Sequence, residues 1–245
     1  MAIAMIAKNG DATYEFNTPA AWDGLDMDDN LSTLIDNDAP DSTEIFVMGT
    51  IAARLQSDKG ATSASTLTTV RNKARDGSVV LDVNLRSPWY NPQNVLELAR
   101  GGDFANKLAL LKLNEDELVV LEEWCGIKSD GNELTGAKLK NRMQKLASSL
   151  NSQRVCVTRG ADGAALWCEN TVGDDIFFEN SGYKLDGSGE SDTVGAGDAF
   201  LAALVNSLFI LNESPSKALE RACALGGYVA GCRGATPDHD KHLMR

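Results

Sequence analysis

From Glu44 onward the chain alternates two kinds of segment, and this alternation constrains the fold more than any other feature. Short continuous apolar runs ("EIFVMG", "SVVLDVN", "LALLKLN", "RVCVTRG") are separated by stretches of helical character ("ATSASTLTTVRNKA", "PQNVLELARGG", "EDELVVLEEWCG", "GAKLKNRMQKLASSL"). A strand that is apolar on both faces must be covered on both faces, and helices between successive strands provide the cover. The pattern predicts βαβ units and a mostly parallel sheet between two helical layers. A further pair of runs, "GAALWCEN" and "DDIFFEN", reads as antiparallel strands. "AFLAALVNSLFIL" is apolar almost all round and reads as a buried helix over 196–210. A last helix is expected over roughly 214–231.

The first 43 residues follow another pattern. "AIAMIA" and "ATYEF" flank "KNGD", and Asn9-Gly10 is a two-residue turn signal, so an antiparallel hairpin is expected at roughly 2–16. "WDGLDMDDNLSTLIDNDAPDST" is rich in aspartate, but Leu31 stands where a calcium loop needs glycine. It reads as a solvated helix with flanking loops. With no internal repeat and no low-complexity linker, the expected division is a hairpin over 1–18 and one α/β domain over 19–245.

Charge limits the ligands. The 245 residues carry 35 acidic against 23 basic side chains, a net charge of -12. Such a surface repels phosphate backbones, which argues against nucleic acid as a partner. Any phosphate ligand must be held by local backbone dipoles and a bridging cation. The five cysteines show no CxxC spacing and read as free thiols in a reducing compartment. "MAIAMIA" is too short for a signal peptide and has no basic flank, and no apolar run is long enough to span a membrane. A soluble, cytoplasmic protein is expected.

In parallel sheets ligands bind at the carboxyl ends of the strands, and polar clusters lie at several such ends. "LDVNLR" supplies Asp82, Asn84 and Arg86; "KLNEDE" supplies Lys112, Asn114 and Glu117; "VTRGADG" supplies Thr158, Gly160 and Gly163; "ESDTVGAGDAF" supplies Asp192 through Asp198. Asn114 also suits a helix N-cap, and Gly163 an ordinary turn. In the last cluster, Gly195 and Gly197 stand at the mouth of the apolar helix. Two glycines there cost stability, so the backbone must come close to something. The helix start would offer free N–H groups to an anion. An aspartate is a poor residue for holding that anion alone, so Asp198 reads as a base. Trp89 and Tyr90 read as loop packing, and His239 and His242 as an exposed polar tail. A dinucleotide-binding loop is not met, because Phe200 occupies the third glycine position of "GAGDAF", and no Walker-type phosphate loop occurs.

"DTVGAGDAF" resembles the C-terminal signature of the ribokinase-like (PfkB) carbohydrate kinases, roughly D-T-x-G-A-G-D-x-F. "DVNLR" is similar to the "DPNLR" of the fructokinase and 2-keto-3-deoxygluconate kinase branch, with Val83 in place of proline. "KLNEDE" matches that family's N-x-x-E pattern and "VTRGADGA" its V-T-x-G-x-x-G, while "ACALGGYVAGCRGATP" resembles its adenine-side segment. The similarity runs from about Ile3 to Pro237.

The resemblance implies a ribokinase-like three-layer α/β/α fold with a small β-hairpin lid, and ATP-dependent phosphorylation of a sugar hydroxyl, fructose first. It implies that Asp198 is the catalytic base, with Gly195, Ala196 and Gly197 forming an anion hole. Asn114 and Glu117 would hold Mg²⁺ through water near the ATP phosphates. Thr158, Gly160 and Gly163 would line the nucleotide, with Cys223 and Gly234 towards adenine. Asp192 occupies a position that in this family often binds a monovalent cation, K⁺ here. Asn84 and Arg86 would face the sugar, and the lid hairpin would pair two subunits into a homodimer. The family ordinarily opens with a sheet strand and a Gly-Gly element that grips the sugar, and this sequence opens within the lid. The expected sheet therefore lacks a strand, and a non-catalytic relative or a truncated chain is the competing expectation.

Overall fold

In a computed structural model, the described residues are 2–6, 12–26, 44–55, 62–101, 106–128, 131, 133–170, 172–183 and 193–238. Two strands form a hairpin sheet, β1 (Ala2–Ile6) and β2 (Ala12–Phe16). Six more form the main sheet in the order β3-β4-β5-β6-β7-β8. These are β3 (Phe46–Gly49), β4 (Val79–Asp82), β5 (Leu108–Asn114), β6 (Arg154–Thr158), β7 (Ala164–Cys168) and β8 (Ile176–Asn180). Pairing of β3 with β4 and of β4 with β5 is parallel, as the continuous apolar runs require. The helices are α1 (Ser63–Lys73), α2 (Pro92–Arg100), α3 (Glu115–Trp124), α4 (Gly136–Ser149), α5 (Ala196–Val205) and α6 (Pro215–Ala230).

The chain divides into two compact units. One comprises Thr18–Val157 and Trp167–Ile176, the other Met1–Asn17, Thr158–Leu166 and Phe177–Arg245. The first is the larger α/β body. Val79, Val80 and Leu81 of β4 and Leu108 through Leu111 of β5 are wholly buried. Leu118, Leu121, Leu139, Met143 and Leu146 from α3 and α4 are wholly buried as well. Full burial of one such side chain is worth about 1.5–3 kcal/mol. Between α3 and α4 the Arg142 guanidinium makes a buried bidentate pair with Glu122, at 2.8 and 2.7 Å. Local signals set the helix starts: Asn91 caps α2 by accepting from the Gln93 N–H at 2.8 Å, with Pro92 as the first helical residue.

In the second unit α5 packs on α6, and Gly226 permits close approach: a Cβ there would lie 3.1 Å from Phe200 Cβ and 3.2 Å from Ala196 O. Ser214 and Pro215 open α6 as cap and first residue. No helix among the described residues is long and apolar enough to cross a membrane.

Three expectations need correction. A two-residue Asn9-Gly10 turn would set Ile6 opposite Thr13, but the ladder sets it opposite Ala12, one residue out of that register. The turn residues themselves lie outside the described ones. The helix expected over 196–210 is α-helical only to Val205 and continues as a wider π turn over Asn206–Ile210. That turn changes which side chains face inward, leaving Ile210 and Leu211 58% and 47% exposed rather than in the core. Asp23, placed in a solvated helix by its composition, belongs instead to a short 3-10 turn and is 3% exposed. It pairs with the buried Arg54 and accepts the Ala20 N–H at 2.7 Å. The remainder of that aspartate-rich stretch, 27–43, lies outside the described residues, as do His239 and His242.

Candidate active site

The expected site residues fall into two sets, each gathered within its own unit. In the larger unit, β4 ends at Asp82 and β5 at Asn114, so both clusters sit at carboxyl ends of adjacent parallel strands. Asp82 lies opposite Lys112, and the ammonium reaches both carboxylate oxygens at 3.1 and 3.2 Å with each side chain 8% exposed. This buried pair was missed as a unit in the sequence, although one charge inside each apolar run was its visible signal. Beyond Asp82 the chain turns through Asn84, whose φ of 36° lies in the left-handed region that asparagine tolerates better than most residues. Asn84 and Arg86 are half-buried. Trp89 packs under the Arg54 guanidinium, 5.8 Å from Cζ to ring centroid, and Tyr90 packs against Trp124 with the rings tilted at 49°, contacts of the kind loop packing expects.

Asn114 is the N-cap of α3. Its side chain accepts the Glu117 N–H at 2.8 Å, and Glu117 Oε2 accepts the Asn114 N–H at 2.9 Å, a reciprocal capping box. Glu117 Oε1 accepts the Leu85 N–H at 2.7 Å. Burial pushes the Glu117 carboxyl above its ordinary range, while the two backbone N–H donors and the nearby Lys112 charge pull it back. These donors fit Mg²⁺ held through water. Each Glu117 oxygen accepts one N–H and keeps a lone pair for a water, Mg²⁺ retains most of its hydration shell, and a cation offsets the cost of burying the carboxylate. Among the described residues no group of three or more His, Cys, Asp or Glu forms a direct metal cage.

In the smaller unit, Gly195 is the N-cap of α5, with φ 81° and no side-chain cap. A Cβ there would stand 2.5 Å from Ala235 O and 2.7 Å from Ala235 Cα. Both the conformation and the close backbone approach require glycine, which answers why the sequence spends one at a helix mouth. The Ala199 N–H donates the first intrahelical bond, to Gly195 O at 2.9 Å, and Ala196 N–H reaches Thr193 O at 3.3 Å. Helix geometry leaves the Gly197 and Asp198 N–H groups without an intrahelical acceptor. Asp198 is exposed in this first turn.

Thr158 closes β6 and is half-buried, and Gly160 opens the exposed turn that follows. Gly163, at φ 84°, returns its carbonyl to the Arg159 N–H at 2.8 Å, and a Cβ there would run into Asn180 O and Gly182 N. Gly163 is therefore more than an ordinary turn residue. The buried Arg159, not singled out in the sequence, holds this crossing by donating to Glu179 at 2.8 Å and to the Ala164 and Asn180 carbonyls at 3.4 Å. Cys223 is 4% exposed within α6 and its thiol is pushed up to about 11 by burial, whereas Gly234 is exposed. Asp192 lies outside the described residues.

A family model for "pfkB family carbohydrate kinase" matches residues 1–242. The chain belongs to the pfkB family. Solved structures agree on the fold. A fructokinase from Xylella fastidiosa with bound ATP is 16% identical with a TM-score of 0.66, the match covering 96% of this chain and 68% of that one. A fructokinase from Vibrio cholerae in a fructose-, ADP- and calcium-bound form is 20% identical, TM-score 0.62, covering 96% and 68%. The aminoimidazole riboside kinase of Salmonella enterica is 22% identical, TM-score 0.52, covering 78% and 59%. This pfkB-family chain thus spans about 59–68% of the length of those relatives. Among curated proteins none matches.

Proposed function

We propose that this chain is an ATP-dependent sugar kinase with fructose, or a closely related ketose or keto-deoxy acid, as acceptor. The observation that carries the reading is the start of α5: an uncapped helix N-terminus whose Gly195 is fixed by φ and by Ala235, followed at once by the exposed Asp198. In this reading Asp198 takes the proton from the sugar hydroxyl as the hydroxyl oxygen attacks the γ-phosphorus, and the bond from that phosphorus to the β,γ-bridging oxygen breaks to release ADP. Of the anion hole expected at Gly195, Ala196 and Gly197, the Ala196 N–H is turned to Thr193 O and Gly195 is the cap, so the Gly197 N–H, with that of Asp198, faces the charge that spreads over the transferring phosphoryl oxygens, which is where phosphoryl transfer needs stabilisation. Thr158, Gly160 and Gly163 line the nucleotide, and Gly234 lies on its adenine side with Cys223 in the packing behind. Asn84 and Arg86 face the sugar. Glu117 and Asn114 would hold Mg²⁺ through water, and that ion supplies charge neutralisation at the phosphates. In so acidic a chain a helix terminus alone, worth about 0.3–2 kcal/mol, does not suffice.

The "DVNLR" segment supports fructose through its similarity to the fructokinase branch, and a K⁺ bound at Asp192 belongs to the same reading. So does a homodimer through β1 and β2, where Met5 is 48% exposed. ADP formation with Mg²⁺ and ATP, measured against fructose, ribose and 2-keto-3-deoxygluconate, tests the proposal. Fructose-dependent turnover supports it. Turnover with ribose alone overturns the sugar assignment, and turnover with none favours a non-catalytic relative.

A further inference from the structure

We propose that Glu117 is a positioning residue for the substrate-facing loop, holding the backbone of residues 83–86 against the start of α3 through the Leu85 N–H. The inference rests on the kinase reading for the loop's partner, but its core concerns this chain alone. A capping box is completed as well by glutamine as by glutamate, since it asks one side-chain oxygen to accept one N–H. Here one oxygen is spent on that box, at 2.9 Å from the Asn114 nitrogen. The other oxygen reaches across to a different segment, 32 residues earlier, at 2.7 Å from the Leu85 nitrogen. Only a carboxylate accepts at both ends, because glutamine would turn an NH₂ donor towards one of the two amides.

The rest of the loop is secured on either side of that bond. The Val83 N–H donates to Lys112 O at 2.9 Å, and the Thr50 hydroxyl donates to the Val83 carbonyl. The Trp89 N–H donates to Arg86 O at 2.6 Å, with Arg54 stacked over the indole. Between these anchors Asn84 is held at positive φ, and Leu85 is the residue joining it to Arg86. Releasing the Leu85 N–H frees the two side chains assigned to the sugar, while the Val83 and Trp89 anchors remain. Lys112, fixed by Asp82, places its positive charge near the Glu117 carboxylate and supports its role as a double acceptor.

The test uses Glu117→Gln, which preserves volume, with Glu117→Ala as the second variant. Hydrogen exchange at the Leu85 and Asn114 amides is followed by NMR on the protein free of nucleotide, sugar and Mg²⁺. In Glu117→Gln at least one of the two amides is expected to exchange about tenfold faster, and in Glu117→Ala both, since a hydrogen bond to a charged acceptor is among the stronger ones. The Val80 and Leu81 amides should stay within about twofold of wild type. Asn114→Ala, which removes only the cap acceptor, should leave Leu85 unchanged. With fructose as acceptor, KM for sugar is expected to rise about tenfold or more in Glu117→Gln, in addition to any rise in KM for ATP that follows from the Mg²⁺ role proposed for the same carboxylate.

Unchanged Leu85 and Asn114 exchange in Glu117→Gln overturns the proposal, and so does faster exchange spread evenly over β4 and β5. A rise in KM for ATP without one for sugar also overturns it. The exchange measurement needs no turnover, so absence of ADP formation by wild type counts against the kinase reading and leaves the Leu85 result to decide the role of Glu117.

Discussion

Two helix starts in this chain meet the same physical problem in opposite ways. Every α-helix leaves its first N–H groups without intrahelical partners. At α3 the chain closes that end itself: Asn114 caps, Glu117 completes the box, and three acidic residues occupy the first turn. At α5 the cap is glycine, no side chain closes the end, and a single exposed aspartate stands in the first turn. The first arrangement stabilises the unliganded protein. The second forgoes that stability and keeps its donors and its positive end available to an anion from outside. A helix start without a side-chain cap, its backbone fixed by a glycine at positive φ against Ala235, gives up local stability, which is the pattern the anion-binding role proposed for α5 requires.

Substitutions at the two starts should therefore fail differently. Gly195→Ala forces a side chain into the left-handed region and against the Ala235 backbone, and is expected to cost on the order of 2–4 kcal/mol in urea unfolding. Its turnover should fall further than its residual folded fraction explains. A variant that unfolds at the wild-type midpoint contradicts the geometry given for Gly195. Asn114→Ala should cost about 1 kcal/mol in the same titration, an ordinary cap loss. A loss several times larger would mean that α3 depends on its cap far more than its buried Leu118 and Leu121 suggest.

The smallest effect concerns packing behind α5. Burial pushes the Cys168 and Cys223 thiols up to about 11, so at neutral pH only roughly one in ten thousand of each is thiolate. Native-state labelling should reach the half-buried Cys125 and Cys232 first, leaving Cys156, Cys168 and Cys223 to react on unfolding. Gly195→Ala should accelerate labelling of Cys223, in the helix that backs α5, before that of Cys168. Equal acceleration at both would show that the damage is not local to α5.

Much of this arrangement was legible in the sequence because it follows from one-dimensional rules. Apolar runs without alternation marked β4, β5 and β6, and the residues closing them, Asp82, Asn114 and Thr158, mark strand ends where ligands gather. The fourth cluster was legible as a helix start, with residues 184–192 ahead of it outside the described ones. Asn114 carried two readings, cap and ligand. The structure shows the cap, and the ligand role stays with the proposal. Pairings between distant segments were not legible. Nothing local to Leu85 announces Glu117, nothing near Asp23 announces Arg54, and the Arg159–Glu179 pair needs two segments to cross at Gly163. Such contacts depend on tertiary placement, and the residue types involved fit a solvated surface equally well.

The role proposed for the start of α5 is decided by steady-state ADP formation from Mg²⁺ and ATP with fructose, comparing the wild-type chain with Asp198→Asn. The substitution keeps the size of the side chain and removes the proposed base. With Asp198 as the base, kcat is expected to fall at least ~10²-fold, as loss of a general base typically brings, with KM for ATP within about threefold of wild type. A variant that turns over at a near-normal rate would contradict it, leaving the open start of α5 without its catalytic role.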